Sequence, residues 1–288
     1  MGKIYKRKPG TDRKPLVSVI IPTYNEEKVL TRVLQSIKEQ NHKYIEIIVV
    51  DDGSNDNTVS LAESAGVIMF QRQHAERSIQ RNFGVGKSKG EYVLILDADM
   101  QLTSSVVSEC VNLMSKDKNI GAIVIPEKSV ASNFWENVKA FERSFYNIEG
   151  DEITDAARFF KKEVFVKAGG YDETITGPED WDLPETVKKL GYKIVRIKSR
   201  IYHYERINSP FGVARKKYYY ALKSHRYLSK QHISSISPKT IFFLRPVFYK
   251  NWKIVIAHPL MSLAMFTMLA LELIYGGIGF LQGKILNK

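Results

Sequence analysis

The sequence predicts an α/β protein, a mainly parallel sheet with helices on both faces, followed by membrane-associated helices at the carboxyl end. Three observations predict it. Short β-branched apolar runs alternate with segments of helical period between residues 16 and 126. Acidic and turn-forming residues end those runs, in PTYNEE (22–27), DDGSNDNT (51–58) and DADMQ (97–101). An apolar run at 254–282 is long enough to cross a bilayer, for which about 20 residues suffice.

The elements follow in order. LVSVIIP (16–22) is a buried strand ended by proline, and EEKVLTRVLQSIKEQ (26–40) a helix with Val29, Val33, Leu34 and Ile37 on one face. IEIIVVDDGS (45–54) is a second strand, NTVSLAESAG (57–66) a helix closed by glycine, and VIMFQR (67–72) a third strand. RSIQRNFGVGKSKG (77–90) is helical, EYVLILDAD (91–99) a strand, SSVVSECVNLMSK (104–116) a helix and IGAIVIP (120–126) a strand. Right-handed crossovers make such a sheet parallel, and ligands bind beyond the carboxyl ends of its strands. The three acidic segments therefore share one rim. In LILDADMQL (94–102), Asp97 and Asp99 are one residue apart, so on a strand they would point the same way, as the start of a hard-cation site. A solvated turn is the plainer alternative. No G-x-G-x-x-G follows the first strand and no G-x-x-x-x-G-K-[ST] occurs, so the dinucleotide fingerprint and the P-loop are excluded.

Composition adds the surroundings. The 288 residues carry a net charge of +12, and between Thr186 and Lys253 there are 17 Lys or Arg against one acid, Glu205. Such an excess suits nucleic acid, an anionic membrane or phosphorylated ligands. The single cysteine, Cys110, excludes a disulfide framework. Residues 1–15 are basic with no apolar stretch behind them, so a mobile arm and the cytoplasmic side are expected. A catalytic unit is expected over 16–230 and a membrane-associated region over 231–288. FFLRPVFYKNWK before the apolar run mixes aromatics with Arg245, Lys250 and Lys253, as at a membrane–water interface. Glu272 would cost about 2.5–3.5 kcal/mol at a bilayer centre, and Gly276, Gly277 and Gly279 weaken a helix, so a re-entrant or in-plane pair of helices stands beside a single span.

VSVIIPTYNEE, IIVVDDGSNDNT, RNFGVGKSKGEYVLILDAD, FKKEVFVKAGGYDE and GPEDWDL, in that order, resemble family 2 glycosyltransferases with the GT-A fold, over roughly residues 16–205. The resemblance implies a nucleotide-sugar-dependent enzyme that inverts the anomeric carbon. It implies that Pro22, Tyr24 and Asn25 line a nucleotide pocket, with Glu26 toward the ribose and Asp52 accepting from a ring N–H of uracil or guanine. It sets Arg81 near the diphosphate. Asp97, Ala98 and Asp99 would form the DXD motif, with Asp99, Asp97 and His203 toward Mg²⁺ or Mn²⁺. Asp180 would be the catalytic base, Glu179 its support, and Trp181 a platform for a sugar. Gly169 to Asp172 would shape the donor-sugar pocket, and Arg158 would face it.

Each role has a plainer counterpart: Glu26 capping a helix, Arg81 in a salt bridge, Asp51 holding its own turn, His203 or Trp181 packed in a core, and Glu179–Asp180 capping the next helix. The partners implied are a nucleotide-sugar donor, a lipid-linked or glycan acceptor and a membrane, with no nucleic acid. The absence of Q-x-x-R-W favours addition of one sugar. A polyprenyl-phosphate acceptor is the alternative and would need no base. A nucleotidyltransferase would want a glycine-rich basic loop where PTYNEE is acidic. A non-catalytic basic protein leaves the converging acids unexplained.

Overall fold

The computed structural model describes residues 14–147, 150–151 and 153–286; most of the expected arm at 1–15 lies outside them. The chain runs β1 (Val17–Thr23), α1 (Leu30–Lys38), β2 (Ile45–Asp51), α2 (Thr58–Ser64), β3 (Ile68–Gln71), α3 (Arg77–Lys87), β4 (Tyr92–Ile95), β5 (Met100–Leu102), α4 (Val106–Lys116) and β6 (Ile120–Val124). It continues through β7 (Glu127–Val130), α5 (Phe134–Asn147), β8 (Ala157–Lys161), α6 (Lys162–Lys167), α7 (Glu179–Lys189), β9 (Lys193–Arg196) and β10 (Ile201–Tyr204). Four helices follow: α8 (Pro210–Lys230), α9 (Pro246–Lys250), α10 (Trp252–Ala257) and α11 (Pro259–Leu286).

Seven strands form the main sheet in the order β3-β2-β1-β4-β8-β6-β9. Only β8 runs against its neighbours β4 and β6. Side-chain alternation along β1 splits the core in two. Val17, Val19 and Ile21 pack with Leu30, Val33, Leu34 and Ile37 of α1 and with Val107 and Cys110 of α4. Ile20 packs on the other face with Val85 of α3 and Leu183 and Val187 of α7. Gly84 lets α3 approach, since a Cβ there would run into Ile20. A second sheet, β5-β10-β7, crosses the end of the first.

Two sequence expectations change. The helix expected from residue 26 begins at Leu30, because Asn25 has a φ of 55° and Glu26 to Val29 turn around the Glu26 carbonyl. The strand expected to carry Asp97 and Asp99 ends at Ile95, and both aspartates lie on a turn closed by Met100 N–H donating to the Asp97 carbonyl at 3.2 Å. Strand alternation therefore does not aim the pair.

The carboxyl helices pack on the sheet-bearing body. Helix α8 starts at Ser209, whose hydroxyl accepts from Gly212 N–H at 3.2 Å, with Pro210 in its first turn. Helix α11, about 42 Å long at 1.5 Å per residue, lies along α8. A Cβ at Gly279 or Gly283 would run into the carbonyl of Tyr218 or Leu222, so these glycines allow backbone contact. Glu272 faces inward, 3.1 Å from Lys139 of α5. Helix α11 is long and apolar enough to cross a membrane, and 22% of its most apolar window is buried. Its outer face leaves Leu260, Leu263, Ile278, Leu281 and Ile285 exposed.

Candidate active site

The carboxyl ends of β1, β2 and β4 open on a cleft of about 1010 Å³ that β10, α5, α7 and α8 close from the other side. Pro22, Tyr24, Glu26, Asp52, Asp97, Ala98, Asp99, Asp180, Trp181 and His203 all line it. Asn25, Arg81 and Glu179 do not.

Asn25 joins the loops after β1 and β2: its N–H donates to Ser54 Oγ and its Oδ1 accepts from Asn55 N–H, both at 2.8 Å. Asp51 holds its own turn, accepting from Gly53 N–H at 3.1 Å, Ser54 N–H at 2.9 Å and the Thr23 hydroxyl at 3.2 Å. Asp52 accepts from Ala75 N–H at 2.8 Å and from the Gln80 amide, and lies 2.8 Å from His74 Nδ1. The Tyr24 ring is half exposed and leans on His74, with ring centres 4.8 Å apart.

Arg81 is fully buried and forks between Asp97 Oδ1 at 2.6 Å and Asp180 Oδ1 at 2.7 Å, with Tyr171 beneath it. Its guanidinium is spent on that bridge rather than open to a ligand. The Gly169–Asp172 turn thus stands behind Arg81 and does not line the cleft. Arg158 completes the enclosure of Asp97, at 3.4 Å from its Oδ2. Burial opposes the Asp97 charge, but Arg81, Arg158 and Arg77 hold its carboxyl well below the usual range.

Glu179 is buried and takes Arg77 at 2.6 Å. Neither it nor Asp180 caps α7 with its side chain; the capping position is Pro178, and both acids sit in the first turn, where the helix dipole favours them. Trp181 donates its indole N–H to the Thr154 carbonyl at 3.1 Å, which fixes one ring edge at the cleft wall. Glu26 caps no helix with its carboxylate, which binds Arg206 at 2.6 and 2.9 Å. Arg206 also reaches Asp99 Oδ2 at 3.0 Å.

His203 is the junction of the far wall. Its Nε2 lies 3.7 Å from Asp99 Oδ1, and its Nδ1 lies 3.0 Å from Glu127 Oε2 and 2.8 Å from Arg143 Nη1. Burial and the Arg143 charge disfavour its cation, yet Asp99 and Glu127 outweigh them and the imidazole is pushed up to about 9. Asp99 Oδ1 is buried with no hydrogen-bond partner. Among the described residues no three His, Cys, Asp or Glu side chains gather as a metal cage. The arrangement provides one free carboxylate oxygen beside an imidazole, and a second carboxylate, Asp180, whose Oδ1 is held by Arg81 at 2.7 Å and whose Oδ2 lies 3.9 Å from Arg77.

Sequence reasoning did not find His74, Arg77, Glu127, Arg143 or Arg206. Glu127 follows the end of β6, so the strand-end rule that found the other acids would have found it.

The sequence profile of Glycosyl transferase family 2 matches residues 18–169. An uncharacterized glycosyltransferase of Rickettsia typhi is 28% identical over 204 residues, 66% of this chain and 62% of its own length, so this chain spans under two thirds of that relative. The hyaluronan synthase of Pasteurella multocida is 26% identical over 62% of this chain and 19% of its own. Among solved structures, residues 1–349 of S. aureus TarS superpose with a TM-score of 0.56 at 17% identity, over 91% of this chain and 90% of that one. The mannosyltransferase PcManGT of Pyrobaculum calidifontis, solved with GDP-Man and Mn²⁺, gives 0.56 at 20% identity, over 93% and 78%. The profile covers more than half of the chain and the superpositions span nearly all of it, and together they make this protein a glycosyltransferase of family 2, built on the GT-A fold.

Proposed function

We propose that the enzyme moves one sugar from a UDP- or GDP-sugar to a hydroxyl of a membrane-lipid-linked or glycan acceptor, with inversion and with Mg²⁺ or Mn²⁺. The observation that carries this reading is the opening of Asp52, Asp99, His203 and Asp180 on one cleft although they come from four separate segments. Structures of similar fold bind such donors: TarS was solved with UDP and with UDP-GlcNAc.

The base of the donor sits at Tyr24 and Asp52, which is preset by His74, Ala75 and Gln80. Asp99 and His203, once its imidazole gives up the proton, would hold the divalent ion, since the free Asp99 Oδ1 lies 3.7 Å from the imidazole Nε2. The ion supplies Lewis-acid stabilisation of the charge that grows on the leaving diphosphate. Asp97 is not a ligand in this reading, because Arg81 and Arg158 engage both its oxygens. Arg206 must release Asp99 and is then free to meet the diphosphate. Asp180 takes the proton of the acceptor hydroxyl as the new O–C1 bond forms and the C1–phosphate oxygen bond breaks. Arg81 keeps that carboxylate in register with the DXD turn.

We read the body as lying on the cytoplasmic face of a membrane, with α11 in the bilayer surface rather than across it. Spanning would carry the exposed Lys216 of the adjoining α8 toward hydrocarbon, at about 2.5–3.5 kcal/mol near the bilayer centre. The exposed Tyr249, Trp252, Lys250 and Lys253 suit anionic headgroups beside the apolar face of α11.

The test is a panel of UDP- and GDP-sugars with Mn²⁺, scored for nucleoside diphosphate release. One donor should be hydrolysed slowly, and Asp99→Asn or a chelator should abolish this. Asp180→Asn should keep hydrolysis and lose transfer to a membrane-lipid extract. Transfer retained in Asp180→Asn would replace the hydroxyl acceptor by a phosphate, which needs no base. No donor bound or hydrolysed would remove the reading.

A further inference from the structure

Beyond His203 and Arg143 the cleft continues between α5, α8 and α11 and meets a second cavity of about 250 Å³. Five cations line this end, and four are already paired. Lys139 lies 2.7 Å from Glu142 and 3.1 Å from Glu272, Arg143 lies 3.0 Å from Glu205, Arg196 lies 2.6 Å from Asp155, and Arg245 lies 3.9 Å from Glu142. The fifth, Lys217, lines both cavities and has no hydrogen-bond or ion-pair partner among the described residues. Gly276 of α11 leaves space for its stem, since a Cβ there would lie 3.2 Å from Lys217 Cγ. The ammonium group is thus delivered into the cavity, where burial lowers its affinity for a proton. Lys216, the next residue on α8, is exposed at the mouth of the cleft, its ammonium 5.7 Å from the centre of the Tyr220 ring.

An unpaired cation in a partly dry cavity is stabilised by an anion of suitable size. The cavity lies beneath α11, whose outer face is apolar and exposed. We propose that Lys217, with Lys216 at the mouth, binds a phosphate or diphosphate group of the lipid acceptor. This rests on the glycosyltransfer reading above and names the chemical class of its acceptor.

Binding of farnesyl phosphate, farnesyl diphosphate and uncharged farnesol in detergent would test it by calorimetry, with phosphatidylglycerol micelles as the headgroup control. UDP and GDP binding with Mn²⁺ reports the donor site separately. The phosphorylated ligands should bind at least about tenfold more tightly than farnesol. Lys217→Met should remove that advantage, Lys217→Arg should restore part of it, and nucleotide binding should persist in both. A preference for phosphate that survives Lys217→Met would overturn the assignment. So would Lys217-dependent binding of phosphatidylglycerol without binding of the farnesyl phosphates, which would make Lys217 a membrane contact. Loss of nucleotide binding in Lys217→Met, with Lys217→Arg folded and normal, would assign the lysine to the donor. Failure of the wild type to bind either nucleotide, with phosphates bound as expected, would leave the subsite standing and sink the donor reading.

Discussion

The loops after β1 and β2 and the helices α5, α8 and α11 close the cleft from two sides, and they are held by different means. In the loops, carboxylates and amides meet backbone N–H groups: Asp51 takes those of Gly53 and Ser54, Glu27 takes that of Asn57 at 3.1 Å, and Glu26 N–H donates to Thr58 Oγ1 at 2.8 Å. In the helical wall, side chains pair with side chains, Lys139 of α5 with Glu272 of α11 and Arg143 of α5 with Glu205 just after β10. A carboxylate on backbone donors is fixed by the local path of the chain. An ion pair between helices depends on the assembled body and can change partners when an anion arrives. The first wall is suited to hold a nucleotide in one pose. The second is suited to accept a charged group.

Between these walls, Arg81 ties the turn after β4 to the start of α7, and its removal should have the largest effect. Arg81→Met leaves Asp97 and Asp180 without their shared cation, and should cost about 3–5 kcal/mol in urea unfolding. Arg81→Lys should recover only part, because an ammonium cannot fork between two carboxylates. Unfolding of Arg81→Met at the wild-type urea concentration would show that the bridge adds no stability. The backbone-held wall comes next. Asp51→Ala strands the buried Thr23 hydroxyl and the part-buried N–H groups of Gly53 and Ser54, and should cost about 1–3 kcal/mol while weakening nucleotide binding. The paired wall should respond less. Glu272→Gln should cost about 1 kcal/mol, because Lys139 keeps Glu142. Transfer should fall in Glu272→Gln while nucleotide binding holds; loss of nucleotide binding would erase the distinction between the walls.

The same contrast explains what could be read from the sequence. The first strands and helices, up to residue 126, and the acids on one rim were legible because each leaves a local trace: a β-branched run, a helical period, a cluster beside glycine or proline. Asp52, Asp97, Asp99, Asp180 and His203 were all found, and all line the cleft. The contacts among them were not legible. Arg206 meets Glu26 180 positions away, and Lys139 meets Glu272 133 positions away, and no local pattern encodes such pairs. Glu272 was read as a cost to a membrane helix because its partner on α5 was out of view.

The smallest expected effect is on acid stability, and it isolates Asp97. Burial opposes its charge, but Arg81, Arg158 and Arg77 hold its carboxyl well below the ordinary 3.8. A carboxylate depressed in the folded state contributes its full stability above its unfolded value, and the contribution is lost as pH falls through the folded value. From this group the urea midpoint should be level from pH 7 to about 5 and decline below about 4. Asp97→Asn removes that proton linkage, so its midpoint, lower at neutral pH, should fall less steeply in acid. Parallel acid declines in the two proteins would mean that the arginines do not hold Asp97 as a depressed carboxylate. The link from the DXD turn through Arg81 to Asp180 would then be geometric only, and that turn and α7 would be joined by packing rather than by charge.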